Sequence, residues 1–300
     1  FLKDKQGNLN GVIYEFSALQ HILKKMPKTP QGTAELLLNL QYAKYAKAGY
    51  TTIAALGPVN LAGNPLNFMA SLSRNTGVPV RSFVYPIKKQ LDSSSWPSGY
   101  GNDHFRIKGV KLYMDGSPYT GGAAFAEPYL NTDVTLKRME LQPNHRGRVN
   151  YSEESLLQTL TKYHNAGYQI AIHAQGEIAI QMILNAFTEI LEKYPRPDHR
   201  HRLEHNALIT KSQIIQAQKL GLTLSFFMDH VYYYGEQLPQ IVGPDRAARF
   251  MPLGTAFAAG HRASIHTDNP ATPVGPFRVI STAVTRKTKN TGNILGPAER

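Results

Sequence analysis

The chain alternates short strand-like runs with helical stretches, and this alternation limits its possible folds more than any other feature. The runs are YTTIAAL (50–56), VRSFVYP (80–86), GVKLYM (109–114), YQIAIH (168–173), HRLEH (201–205), LTLSFF (222–227) and RASIHT (262–267). Between the fourth and fifth runs, EIAIQMILNAFTEILEKY is apolar at Ala179, Ile183, Ala186, Phe187 and Ile190, which is helical spacing. Ser152, followed by Glu153 and Glu154, opens a helix that carries Leu156, Leu157, Leu160 and Tyr163. Thr210 with Gln213 reads as a capping box, and residues 33–48 predict a further helix ending near Gly49. Such alternation implies βα units and a parallel sheet. Seven units suit either a doubly wound sheet or most of a (β/α)8 barrel. No GxGxxG follows a strand and no GxxxxGK[ST] occurs, so the nucleotide-binding folds lack their signature. The α/β barrel is favoured, because polar residues cluster at the C-terminal ends of several different strands.

Composition narrows the function. A chain of 300 residues, 42% hydrophobic and 18% charged, supports one large core, so residues 1–300 are read as a single catalytic barrel domain. The balance of 33 Lys and Arg against 21 Asp and Glu gives +12, which suits an anionic substrate or surface. These charges are dispersed, as at Lys24-Lys25 and Lys88-Lys89, and describe a solvated surface rather than a nucleic-acid footprint. No apolar run reaches the roughly 18 to 20 residues of a membrane span. The absence of cysteine excludes disulfides, zinc–thiolate sites and cysteine nucleophiles, and leaves the compartment open.

Within GVKLYMDGS (109–117), Val110, Leu112 and Met114 alternate with Lys111, Tyr113 and Asp115. A lysine and an aspartate therefore share one strand face. A buried ammonium is costly unless it is paired or chemically altered, so the plain reading is a Lys111–Asp115 ion pair. Three other strand ends are also polar. The fourth run ends in AIHAQGE with His173, the fifth in RLEHN with His205, and the seventh in SIHTDNP with His266 and Asp268. Each alone has a structural reading, as a hydrogen-bonded histidine or an Asx-turn aspartate. Together, Lys111, His173, His205 and Asp268 can all face the barrel interior, and two imidazoles with a carboxylate suit zinc or a similar divalent ion. A neutral lysine beside a metal can add carbon dioxide, and the resulting carbamate is an anionic ligand.

The segments GVIYE, GVKLYMDGS, IHAQGE, RLEHN, SFFMDHVYYYGE, IHTDNPATPVGP and LGPAER, in that order, resemble the amidohydrolase superfamily. The likeness is to its branch of metal-dependent hydrolases related to YtcJ and N-substituted formamide deformylase. It implies a distorted (β/α)8 barrel with one or two divalent ions, commonly zinc. It also implies Lys111 as the carboxylated lysine, His173 and His205 as metal-binding histidines, and Asp268 as both ligand and proton shuttle. His230 corresponds to a position near the substrate. In the implied reaction a metal-activated water attacks an amide-type, non-peptide carbonyl, and Asp268 moves the proton to the leaving nitrogen. His230 stabilises the oxyanion.

Asp115 and Glu204 are candidates for orienting the ligands, with salt bridging as the alternative role. Tyr232, Tyr233 and Tyr234 are candidate pocket residues beside His230, although three consecutive aromatics cannot all face one way. The substrate is expected to be a small molecule, contacted by His230, Tyr232 and Asp115.

One departure stands out. The resemblance calls for an HxH pair on a first barrel strand, and the one HxH spacing here, His199-Arg200-His201, lies in a loop before a later strand. The expectation is therefore an incomplete barrel, with the first strand and a small β side domain outside these 300 residues and with exposed edges that favour homo-oligomers. The competing function is a metal-free barrel that binds a small ligand without catalysis.

Overall fold

The computed structural model describes residues 3–11, 13, 21–23, 25–27, 30–58, 65–74, 77–94 and 96–300. Val12, Tyr14 and Glu15 of the GVIYE segment lie outside them. In chain order the elements are α1 (Gln31–Lys47), β1 (Thr52–Leu56), α2 (Pro65–Leu72), β2 (Arg81–Tyr85), α3 (Lys88–Asp92), β3 (Phe105–Ile107) and β4 (Gly109–Tyr113). They continue with α4 (Glu153–Asn165), β5 (Gln169–Ala174), α5 (Glu177–Lys193), β6 (Arg202–His205), α6 (Lys211–Lys219) and β7 (Thr223–Phe226). The last are α7 (Asp229–Tyr234), α8 (Leu238–Val242), α9 (Pro244–Ala248), α10 (Leu253–Ala258), β8 (Ser264–Ile265) and α11 (Pro276–Thr285).

Every strand pairing is parallel, in the orders β1-β2-β3 and β4-β5-β6-β7-β8. The two sheets are joined through Lys108. Its N–H still donates to Val84 of β2, while its carbonyl already accepts from Gln169 of β5. A parallel bridge between Ile87 and Lys111 continues the junction. The third expected strand is thus real but longer, and it changes neighbour part-way along.

Among the described residues, no strand pairs with the outer edge of β1 or of β8. The two ends nevertheless approach each other. Gln41 Nε2 and Tyr45 Oη of α1 both donate to Asn269 Oδ1, just past β8, at 3.1 and 2.9 Å. The fold is α/β with parallel sheets.

The helices cover one face of the strands. Val110, Leu112, Ile170, Ile172, Leu203 and Leu224 are buried in the same core as Leu156, Leu160, Ile183 and Phe187. The helical spacing in α5 has a physical cause here, since Ala179, Ile183, Ala186, Phe187 and Ile190 all lie on its buried side. Ser152 caps α4 by accepting from Ser155 N–H, and Thr210 caps α6 by accepting from Gln213 N–H. Gln213 returns the favour to Thr210 N–H at 3.0 Å, completing the capping box.

Candidate active site

Side chains of paired residues in a parallel sheet share a face, so the register defines the polar row. Tyr113, His173, Glu204, Ser225 and Ser264 form one rung, and Lys111, Ala171, Arg202 and Thr223 form the rung beneath. Lys111 and His173 therefore face the same space, as alternation predicts. On β6 it is Glu204, not His205, whose parity matches. His205 reaches the space another way. It ends the strand with φ at 77°, and Asn206 follows at 58°. This left-handed turn brings its ring to within 4.4 Å of His173, centroid to centroid. His266 closes the row, its Nε2 lying 3.3 Å from His205 Nδ1 and its Nδ1 2.9 Å from Ser225 Oγ.

Lys111 is buried, and its ammonium lies 5.0 Å from the centroid of the Tyr113 ring. Burial pushes its pKa down, against the opposing pull of the Glu204 and Asp268 carboxylates. Asp115 is occupied elsewhere. Its carboxylate accepts from the N–H groups of Ala124, Gln175 and Gly176 at 2.9–3.0 Å, and Oδ1 sits 3.6 Å from His173 Nε2. It thus fixes the turn between β5 and α5 and braces His173 from behind. Gly176 fits there because a side chain would run into Ala124.

Glu204 is ion-paired with Arg202 at 2.6 Å, Arg202 lying on the rung of Lys111 and Glu204 on that of His173. Burial raises its pKa, but Arg202 and Lys111 hold it below the ordinary carboxylate value. The imidazoles are kept neutral. Burial, and then the charge of Lys111, push His173 down to about 3, and burial holds His205 and His230 well below their usual value.

The remaining candidates approach from the loops. Asp268 lies exposed in the turn after β8 with φ at 50°. Its charge is felt at Lys111 and at His266. That turn is anchored through Thr272, whose Oγ1 donates to Asp229 Oδ2 at 2.6 Å. Asp229 also takes Arg278 Nε and Nη2 at 2.9 and 2.6 Å.

Next to Asp229 on α7, His230 is buried, with its ring 6.5 Å from His205. Tyr119 meets it edge-on at 5.0 Å and stacks on Tyr234 at 4.2 Å. Of the three tyrosines, Tyr234 thus joins the His230 cluster, while Tyr232 and Tyr233 lie over Arg278. The structure therefore brings Lys111, His173 and His205 together with His266, and places Tyr232 apart from them.

Sequence reasoning passed over Tyr119, Arg202 and Ser225, and gave His266 no role. For Arg202, Ser225 and His266 the signal was available, since Arg202 and Ser225 have the parity of the Lys111 and His173 rungs and His266 stands two residues past Ser264. For Tyr119 there was none.

Among the described residues, His173 Nε2, His230 Nδ1 and Tyr119 Oη are buried with no hydrogen-bond partner, an arrangement that is rare unless something else is to be bound. Two neutral imidazoles beside a lysine driven toward its neutral form suit a divalent cation in kind. They are short in number, because no three His, Asp, Glu or Cys side chains gather at ligand distance among the described residues.

Comparison with known proteins gives the same direction. The chain is 23% identical to YtcJ of Bacillus subtilis (strain 168), whose name places it among amidohydrolases, over 99% of this chain and 54% of YtcJ. It is 27% identical to the N-substituted formamide deformylase of Arthrobacter pascens over 48% of this chain and 27% of that protein. The chain thus spans about half the length of YtcJ. Among solved structures, an uncharacterized metal-dependent hydrolase from Pyrococcus furiosus superimposes with a TM-score of 0.77 at 19% identity, covering 100% of this chain and 59% of the other. That likeness is one of fold. The model of the amidohydrolase family matches residues 1–300, and the chain belongs to that family.

Proposed function

We propose that the chain carries the barrel of a metal-dependent hydrolase that cleaves an amide-type, non-peptide carbon–nitrogen bond in a small molecule. The parallel strands are read as seven staves of a (β/α)8 barrel, counting β3 and β4 as one, with the seam between β8 and β1. The observation that carries the functional reading is the meeting of a buried lysine and two neutral imidazoles from three consecutive parallel strands. It agrees with family membership, and strand C-terminal ends are where barrels of this type do chemistry.

Lys111 as a carbamate, His173, His205 and Asp268 are the residues to hold a divalent ion, zinc by its preference for imidazole and carboxylate. Such an ion, when bound, lowers the pKa of water and polarises a carbonyl. Asp268, exposed at the mouth, takes a proton on its carboxylate and returns it to the leaving nitrogen. His230, held neutral, offers a ring N–H to charge developing on the carbonyl oxygen. Asp115 keeps His173 aimed.

A second reading is a metal-free barrel that binds a ligand, and it draws on the shortage of gathered ligands. Elemental analysis of protein prepared with bicarbonate separates the two. The expected result is about one or two ions per chain, falling sharply in Lys111→Met and His173→Asn. Protein that holds no metal at any concentration supports the ligand-binding reading instead.

A further inference from the structure

At the opposite ends of β5 and β6 lies a second set of histidines with no part in the site above. His164 comes from the last turn of α4, and His199 and His201 from the loop leading into β6. The Ile170 N–H donates to His201 Nδ1 at 2.9 Å, so that nitrogen carries no proton. His201 Nε2 therefore holds the proton of the neutral ring and donates to His164 Nδ1 at 2.9 Å. His164 Nε2 in turn donates to the Tyr194 carbonyl at 2.8 Å. The His201 backbone N–H donates to His199 Nδ1 at 3.0 Å, and His199 Nε2 donates to the Leu220 carbonyl at 2.9 Å. One tautomer is thus assigned to every ring, and every ring nitrogen is used. A second proton on any of the three must go to a nitrogen that already faces an N–H.

The surroundings reinforce this. The His201 ring stacks on His199 at 4.5 Å and on Phe187 of α5 at 4.9 Å. Arg196 donates to the carbonyls of His164 and Tyr168 at 2.6 and 2.9 Å, setting a positive charge beside the rings. The opposing charge, Asp198, is taken by Arg200 at 2.7 Å and also feels Lys108. On the adjoining helices Lys162 is drawn to Asp92, and Lys193 lies over the Tyr194 ring. Burial, together with neighbouring positive charge, lowers all three imidazoles, His201 to about 2.

We propose that His164, His199 and His201 form an acid-sensitive clasp at the feet of β5 and β6, which when neutral fastens α4, the end of α5 and the turn after α6 to those strands, and which a proton on any ring opens. Because β5 and β6 carry His173 and His205 at their far ends, opening the clasp releases the scaffold of the site without touching its groups.

The clasp is tested by acid unfolding of the unmodified chain beside His201→Gln, whose amide supplies an acceptor and a donor but does not titrate. Below about pH 6 the unfolding constant of the unmodified chain should rise against that of the variant by about tenfold per pH unit. Profiles that stay parallel overturn the proposal. Should the variant not fold, nitrogen NMR of the imidazoles in the unmodified chain decides. Neutral Nε2–H tautomers at all three positions from pH 8 to 5 are expected, and a charged imidazolium among them in the folded chain at pH 6 overturns the clasp.

Discussion

Lys111 sits level with Arg202 and one rung from Glu204, and this largely buried ion pair shapes what the lysine experiences. Removing one partner of such a pair leaves the other charge uncompensated, which is far costlier than never having had the pair. Glu204→Gln should therefore cost about 3–5 kcal/mol in denaturant unfolding at pH 7. Lys111→Met replaces a desolvated amine with an apolar side chain of similar volume while Arg202 still pairs Glu204, so it should lower stability far less than Glu204→Gln. If the two variants destabilise alike, Lys111 is a working member of the ion-pair network rather than a group held ready for other chemistry. The face shared by Lys111 and His173 was legible from alternation alone. The position of His205 was not, because period-two reasoning assumes an extended backbone and His205 turns left-handed at the strand end. The plain Lys111–Asp115 pair was a fair reading of one strand. Asp115 is instead claimed by three backbone N–H groups from segments 9 to 61 residues away.

Helices were easier to foresee than strands, since their signals are local. The buried stripe of α5 and the capping residues of α4 and α6 are written in consecutive residues. Each cap should be worth about 1 kcal/mol, so Ser152→Ala and Thr210→Ala should each lower stability by that amount, additively in the double variant because the two caps lie on different helices and share no hydrogen-bond partner. Phe187→Ala should cost about 3–5 kcal/mol as a buried aromatic truncation, and it also strips one face of His201. The β3–β4 junction had no local signal. Whether Lys108 continues one strand or ends it depends on β5, which first enters the chain some 60 residues later.

Across the whole molecule, the depressed histidines make acid the direction of weakness. A ring whose folded pKa lies below its unfolded value of about 6.5 is neutral in both states above that pH and contributes no slope there. As the pH falls below about 6.5, the unfolded chain takes up protons that the folded chain refuses, and stability is lost down to the folded pKa. For His173 and His201, held at about 3 and about 2, this amounts to about 1.4 kcal/mol per pH unit each from roughly pH 6 to pH 3. Urea midpoints at pH 7 and pH 5 should differ accordingly, and a flat profile would mean that these rings are charged in the folded protein.

The sequence by itself determined the α/β alternation, the parallel sense of the strands and the helix caps, because periodicity and capping are properties of neighbours in the chain. Only the tertiary structure decided that Glu204 shares the face of Lys111 and His173 on β6 and that His266 meets His205. It alone also brought His164 to His201, because parallel strands place side by side residues that lie tens of positions apart in the chain.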